Sequence, residues 1–121
     1  MPRMGMRIVM LAAECEPWAK TGGLADVVDA LARALGRLPA GVVDGPVDVF
    51  LPRYRGIAEF PEGTEVVESV VRVPDPRRPA GVSDITIVSA EVHGYRLRLV
   101  DHPAAYDRAA FYGDVNGDYA D

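Results

Sequence analysis

Cysteine and histidine are scarce in this chain, which has one cysteine and two histidines among 121 residues. A single cysteine, Cys15, excludes a disulfide within the chain and a zinc site built from cysteines. Neither His93 nor His102 has a second histidine at a metal-ligand spacing, so no metal site is predicted. No histidine stands near Cys15 in the sequence to activate its thiol, so we expect no catalytic role for it.

Long hydrophobic runs and an excess of positive charge are also missing. Hydrophobic residues make up 49% of the chain, yet no apolar run is long enough for a membrane-spanning helix. The net charge is -5, which argues against nucleic acid as a partner. The first six residues lead into a predicted strand without the apolar region and cleavage site of a signal peptide, so we expect a cytoplasmic location.

A strand, a loop and a helix follow one another near the start of the chain. Residues 7–13 form a short apolar run that is partly β-branched, which predicts a central parallel strand buried on both faces. Apolar residues then recur at steps of three and four, which predicts an amphipathic helix. These residues are Leu24, Val27, Val28, Leu31, Ala34, Leu35 and Leu38.

The loop between them, Lys20-Thr21-Gly22-Gly23, has the chemistry of an anion-binding turn. The N–H groups that open a helix lack partners within it, and the helix dipole adds positive charge, so a phosphate near Gly22 and Gly23 would be stabilised. Glycine lets the backbone approach such a ligand, and Lys20 would add a full charge. The spacing matches neither the dinucleotide fingerprint nor the Walker loop. From these residues alone, an ordinary turn with a solvated lysine is an equally good interpretation.

A second strand is predicted over residues 47–51, after a loop rich in proline and glycine at residues 39–46. The intervening helix favours parallel pairing with the first strand. Arg53 and Tyr54 follow the carboxyl end of this second strand, where they could face the same cleft as Lys20. The alternatives are an ion pair of Arg53 with a surface carboxylate and packing of the Tyr54 ring over the sheet.

Three further β-rich runs cover residues 65–73, 83–92 and 95–100. The short connection His93-Gly94 predicts an antiparallel hairpin, whose last strand then enters the parallel sheet. The predicted fold class is α/β, with a Rossmann-like parallel core and an antiparallel hairpin. His93 is interpreted as a turn residue. His102 follows the last run at the expected cleft edge, where a turn or supporting role is favoured over ligand contact.

The last part of the chain alternates aromatic and acidic residues. Aromatic rings stack on the apolar faces of sugars, and carboxylates accept hydrogen bonds from sugar hydroxyls, so this segment could border a sugar site. An ordinary surface loop is the alternative. The aromatic residues concerned are Tyr106, Phe111, Tyr112 and Tyr119.

Residues 7–26 as a whole resemble the bacterial glycogen synthase and plant starch synthase family. The matching residues in this segment are Glu14, Pro17, Trp18, Lys20-Thr21-Gly22-Gly23-Leu24 and Asp26. The resemblance continues in family order through Leu51-Pro52-Arg53-Tyr54, Leu99-Val100-Asp101-His102-Pro103, Tyr106-Asp107-Arg108, Tyr112-Gly113-Asp114 and Asp118-Tyr119-Ala120-Asp121. It implies a retaining glycosyltransferase of the GT-B type that transfers glucose from ADP-glucose to the nonreducing end of an α-1,4-glucan.

The resemblance also implies roles for individual residues. Lys20 would contact the nucleotide-sugar phosphate, and the turn Thr21-Gly22-Gly23 would let the backbone approach the diphosphate. Asp26 and Glu14 would shape the cleft, although Asp26 could instead stabilise the helix dipole and Glu14 could anchor the loop by accepting backbone N–H bonds. No cofactor and no metal are implied.

The length of the chain limits these expectations. A chain of 121 residues suits one compact domain, whereas the family has two Rossmann-like domains facing across a cleft. We therefore expect residues 1–121 to be part of the N-terminal, acceptor-side domain, without the nucleotide-sugar domain and the principal catalytic residues. Such a chain alone would be inactive. The alternative is a noncatalytic Rossmann-like module that binds an anion, a glucan or a protein.

Overall fold

The computed structural model describes residues 5–54, 57, 59–102, 113–114 and 117–118. Five strands form one sheet in the order β1-β2-β5-β4-β3, and two short strands form a separate ladder. The elements in chain order are β1 (Val9–Leu11), α1 (Gly23–Gly36), β2 (Asp48–Pro52), β3 (Val66–Pro74), β4 (Val82–Val92), β5 (Tyr95–Asp101), β6 (Gly113–Asp114) and β7 (Gly117–Asp118).

The five-stranded sheet is mixed. Strands β1, β2 and β5 run parallel, with Val49 opposite Met10 on one side and Leu97 on the other. Strands β3 and β4 extend the sheet in antiparallel pairing. The β4–β5 turn has positive φ at both His93 (50°) and Gly94 (86°), as two-residue hairpin turns require. The predicted α/β fold, with its parallel core and antiparallel hairpin, is confirmed.

The core lies between α1 and one face of the sheet. Val28 and Ala32 of α1 are buried against it. The helix comes so close to the β4–β5 turn that a Cβ added to Gly36 would lie 2.5 Å from the carbonyl oxygen of Gly94. The largest fully buried side chains are Tyr95, Leu51, Leu97, Val47, Val49 and Cys15.

In the described sheet, the first strand does not have the central position, buried on both faces, that was predicted for it. Strand β1 has three residues and stands at one edge of the described sheet, with β2 on its only paired side among the described strands. Val9 and Leu11 are 57% and 81% exposed, whereas Met10 between them packs partly against the core. The described part of the chain covers one sheet face with α1, so the alternate residues of β1 remain in contact with solvent.

The helix was predicted correctly, but its buried face only in part, since Val28 and Leu35 of the predicted apolar face pack against the core. Ala25, Val28 and Ala32 face the core, while Leu24 and Val27 are 49% and 60% exposed. The apolar residues of α1 cover more of its circumference than one contact face. Periodicity therefore locates the helix without deciding which part of a wide apolar surface meets the sheet.

Candidate anion-binding site

The candidate site is the turn that joins the carboxyl end of β1 to the first residue of α1, the position where open α/β sheets bind ligands. Two backbone hydrogen bonds between Cys15 and Ala19, both 2.9 Å, close the first half of this turn. The N–H of Glu16 donates to the carbonyl oxygen of Ala25 at 3.1 Å. These bonds attach the turn to the first turn of the helix.

Glu14 organises the second half of the turn. Its side chain is buried, and its Oε1 atom accepts hydrogen bonds from the N–H groups of Thr21 and Gly22 and from the Thr21 hydroxyl at 2.8 Å. The anchoring role expected as an alternative for Glu14 is therefore present. Gly23 and Leu24 are the first residues of α1, where the backbone N–H groups have no carbonyl acceptor within the helix.

Gly22 and Gly23 border open space. A Cβ added to either residue would meet no atom within 4 Å. Gly22 is extended, with φ −166° and ψ −157°, a conformation open to any residue. Neither the packing around these positions nor the Gly22 backbone angles require glycine, and the space beside the helix N-terminus is available to a ligand.

The Lys20 ammonium lies against the first turn of α1 and is about half exposed, with its Nζ atom 2.6 Å from Asp26 and 3.6 Å from Glu16. The hydrogen bond to Asp26 raises the pKa of Lys20, so the ammonium stays charged. A hydrogen bond between Glu16 and Asp26 raises the pKa of Glu16, and Glu16 and Lys20 together lower the pKa of Asp26. The turn thus presents a fixed positive charge flanked by two carboxyl groups.

The other predicted site residues follow the carboxyl ends of β2 and β5, at the same edge of the sheet. Arg53 forms a 2.9 Å ion pair with Asp101. Tyr54 is buried, and its hydroxyl donates to the carbonyl oxygen of Ala13 at 2.9 Å. His102 lines a small open cavity on the side of the β3–β4 hairpin. Both structural alternatives for Arg53 and Tyr54 are therefore observed, and ligand contact by these residues stays a prediction.

The predicted sugar-binding segment with Tyr106, Phe111, Tyr112 and Tyr119 lies outside the described residues. Among the residues that the structure does describe, no group of three or more histidine, cysteine, aspartate or glutamate side chains is arranged to hold a metal ion. The only helix described, α1, is too short to cross a membrane.

Sequence reasoning missed a buried polar network behind the turn. The Trp18 indole N–H donates to the Tyr95 hydroxyl at 3.2 Å, and that hydroxyl donates to Asp29 at 2.8 Å. Arg33 contacts both Asp29 and His93, so His93 is more than a turn residue. The residues joined by these bonds are as much as 77 positions apart in the chain, and no local pattern connects them.

Comparison with known proteins identifies the family. The model of the starch synthase catalytic domain matches residues 7–121. The chain belongs to this family. Glycogen synthase from Koribacter versatilis is 39% identical over 116 residues, which are 96% of this chain and 22% of that protein. Glycogen synthase from Granulibacter bethesdensis is 37% identical over 120 residues, again 96% of this chain and 22% of the relative.

A solved structure of the same family shares the fold. The catalytic domain of starch synthase IV from Arabidopsis thaliana, bound to ADP and acarbose, superposes with a TM-score of 0.72 at 28% identity. The match covers 93% of this chain and 22% of that chain. The 121-residue chain thus spans about a fifth of the length of the starch and glycogen synthases that it matches.

Proposed function

We propose that this chain forms the acceptor-side part of a retaining glucosyltransferase that moves glucose from ADP-glucose to the nonreducing end of an α-1,4-glucan. In this proposal residues 1–121 belong to an N-terminal Rossmann-like domain, and a second domain supplies the rest of the nucleotide-sugar site. The cytoplasmic location predicted from the sequence and the absence of a cofactor or metal from the reaction are also part of the proposal.

The open space at Gly22 and Gly23, beside the N-terminus of α1 and the Lys20 ammonium, is the observation that carries this proposal. Helix N–H groups and a cation close to the same helix end suit a phosphate. The related starch synthase IV was solved with ADP and acarbose bound, a nucleotide product and a glucan analogue. ADP-glucose contains the same diphosphate, which accumulates negative charge as its bond to glucose breaks.

The residues of the turn would then divide the work. The N–H groups of Gly23 and Leu24 would donate to a phosphate oxygen, and Lys20 would stabilise the charge that develops on the departing ADP. Asp26 would keep the ammonium near the helix end in the absence of substrate. Glu14 would hold the turn in shape through its bonds to Thr21 and Gly22, so that no rearrangement is needed when the ligand arrives.

Glucosyl transfer from ADP-glucose to glycogen tests this function. The assay is run on this chain and on a version extended through a C-terminal domain, and we expect transfer only in the extended protein. Within that protein, Lys20→Ala should lower kcat/KM at least about 30-fold, because a charge-assisted contact to phosphate is lost. The matched control is Arg72→Ala, which removes the cation of another exposed ion pair, Arg72–Asp84 on the β3–β4 hairpin.

Two results would contradict the proposal. Transfer by the 121-residue chain alone would show that a second domain is not needed. Equal activity of Lys20→Ala and Arg72→Ala would remove Lys20 from the site. An extended protein that binds an anion or a glucan but transfers no glucose would instead support the alternative, a noncatalytic binding module.

A further inference from the structure

The hydroxyl of Tyr95 joins three parts of the molecule at one buried oxygen. Tyr95 is the first residue of β5 and is only 1% exposed. Its oxygen accepts the indole N–H of Trp18 and donates to Asp29 in the middle of α1. The sulfur of Cys15 lies 3.5 Å away. Two of these partners belong to the candidate turn and one to the helix that follows it.

Trp18 transmits this attachment to the site. The indole is 3% exposed and contacts the rings of Phe60 and His93, each with its centre 5.4 Å from the indole centre. Its segment is a closed unit, because the backbone bonds between Cys15 and Ala19 hold both ends together. Lys20 is the next residue after this unit, so a displacement of the indole moves the start of the lysine side chain.

The helix is held by the same oxygen. Asp29, the acceptor of the Tyr95 hydroxyl, is the seventh residue of α1 and forms an ion pair with Arg33. The anion-binding geometry depends on two positions, that of the Lys20 ammonium and that of the first N–H groups of α1. Tyr95 connects to the first through Trp18 and to the second through Asp29.

We propose that Tyr95 is a positioning residue for nucleotide-sugar binding, whose hydroxyl fixes the backbone that carries Lys20 relative to α1. The proposal rests on the function proposed above for the turn. The buried hydroxyl has no direct access to a ligand and acts through Trp18 and Lys20. Burial also raises the pKa of Tyr95, so the hydroxyl keeps the proton that it donates to Asp29.

The test replaces Tyr95 by Phe in the complete enzyme, which keeps the ring and removes the oxygen. We expect the KM for ADP-glucose to rise about tenfold and kcat to fall, while the KM for glycogen changes less than about twofold, because a misplaced cation weakens the contact with the phosphates both before and during transfer. The control is Ser83→Ala. It also removes one buried hydroxyl that donates to an aspartate, Asp75 at 2.6 Å, in the β3–β4 hairpin. Ser83→Ala should leave both KM values unchanged.

A double variant separates positioning from a general loss of structure. If Tyr95 acts through Lys20, Tyr95→Phe should raise the KM for ADP-glucose less than about twofold in a Lys20→Ala background, because the group it positions is gone. Equal effects of Tyr95→Phe in both backgrounds would overturn the proposal. So would equal KM values for Tyr95→Phe and Ser83→Ala. Trp18→Phe removes the Trp18–Tyr95 hydrogen bond by deleting its donor, and it should reproduce the rise in KM for ADP-glucose. This second variant tests the proposal if Tyr95→Phe folds poorly.

The position of Lys20 can also be followed without activity. Lys20 is the only lysine in the 121-residue chain, so its acylation rate can be read from one peptide by mass spectrometry. Tyr95→Phe should change that rate at least about twofold, because the reactivity of an amine follows its ion pairing, and Ser83→Ala should not. If Lys20→Ala leaves transfer intact while this acylation difference persists, the proposed function fails but the coupling stands. No acylation difference, with Lys20→Ala impaired, refutes the coupling alone.

Discussion

The two ends of helix α1 use glycine for opposite reasons. At the amino end, a Cβ on Gly22 or Gly23 would meet nothing within 4 Å, whereas at the carboxyl end a Cβ on Gly36 would lie 2.5 Å from the Gly94 carbonyl oxygen. Glycine at the carboxyl end therefore permits packing within the chain. At the amino end it preserves space that the described residues do not use, which is the expected condition of a binding site.

Charged groups show the same contrast between the two edges of the parallel strands. Beyond the carboxyl ends, the pairs Lys20–Asp26 and Arg53–Asp101 contain side chains that are a quarter to half exposed. At the amino ends, the Asp48 carboxylate is 8% exposed and binds Arg96 and Arg98. Buried ion pairs maintain the fold, and exposed ones leave a charge accessible to a ligand. The following predictions test that division.

The largest effect on stability is expected for Asp48→Asn. Removing the carboxylate leaves two arginines that are only about a quarter exposed without their shared partner, at a cost of about 3 kcal/mol. Urea unfolding measures the loss. Asp84→Asn on the β3–β4 hairpin is the control, because its pair with Arg72 is exposed and should contribute less than about 1 kcal/mol. Equal losses would break the contrast between the two edges.

The same variant predicts a pH dependence. Burial alone would raise the pKa of Asp48, but the hydrogen bonds from Arg96 and Arg98 outweigh it and lower that pKa. The ionised group therefore stabilises the fold at neutral pH, and this contribution is lost as the pH falls below about 4 toward the folded-state pKa. Unfolding measured between neutral and acid pH should show the original protein and Asp48→Asn converging in acid. A constant difference would contradict this origin of the stability.

Gly36→Ala should cause the next largest loss of stability. The added Cβ collides with backbone rather than with a flexible side chain, so helix and hairpin must separate, at a cost of about 2 kcal/mol. Thermal unfolding followed by circular dichroism measures the change. An unchanged or raised melting temperature would mean that the helix can move away from Gly94 without loss.

Gly23→Ala is the matched change at the other helix end. The new Cβ meets no atom, and alanine favours the helix over glycine, so stability should stay the same or rise by up to about 1 kcal/mol. In the extended enzyme, binding of ADP-glucose should nevertheless weaken about tenfold, because the methyl group occupies the ligand's space. Calorimetric titration measures the affinity. Unimpaired binding would show that the ligand does not approach the backbone here.

The smallest predicted effect concerns Glu16. Its contact with Asp26 raises its pKa, so Glu16 is the first of the two carboxyl groups to be neutralised as the pH falls from 7. If the turn binds ADP-glucose as proposed, losing one negative charge 3.6 Å from Lys20 should strengthen that binding about two- to fivefold, as expected for exposed charges in water. Glu16→Gln should bind with the higher affinity at pH 7 and lose most of this pH dependence. Binding titrations of the original protein and Glu16→Gln over a series of pH values measure both effects. The same pH dependence in the two proteins would contradict the prediction.

The sequence predicts this fold well where a pattern is local. The two-residue turn His93-Gly94 and the helix after Gly22 carry their own signals, and both are found within about two residues of the expected bounds. The edge position of β1 was not predictable from its apolar composition, because a strand's neighbours are chosen by the whole sheet. The Tyr95 network was equally inaccessible, since it depends on side chains that meet only after the β4–β5 turn reaches α1.

The site shows the same division. Lys20, Gly22 and Gly23 lie within four residues of one another, so the sequence alone predicts an anion-binding turn. The bonds of Glu14 to the turn were expected only as an alternative, because a carboxylate seven residues from Thr21 can bind backbone or ligand, and only the geometry separates the two. The sequence likewise left two interpretations for Arg53, a ligand contact or an ion pair. Its observed partner, Asp101, lies in β5, 48 residues further along the chain.

The outer side of β3 has a practical consequence for handling the protein. Within the described sheet no strand pairs with that side, and four of its valines are 43% to 67% exposed, interrupted by Glu68 and Arg72. An edge of this kind can pair with the same edge of another molecule, and the net charge of -5 on each chain opposes that association. Salt weakens that opposition. Concentrated samples should therefore remain clear longest at low ionic strength. Val70→Lys, which adds a charge to this strand, should keep them clear at higher ionic strength.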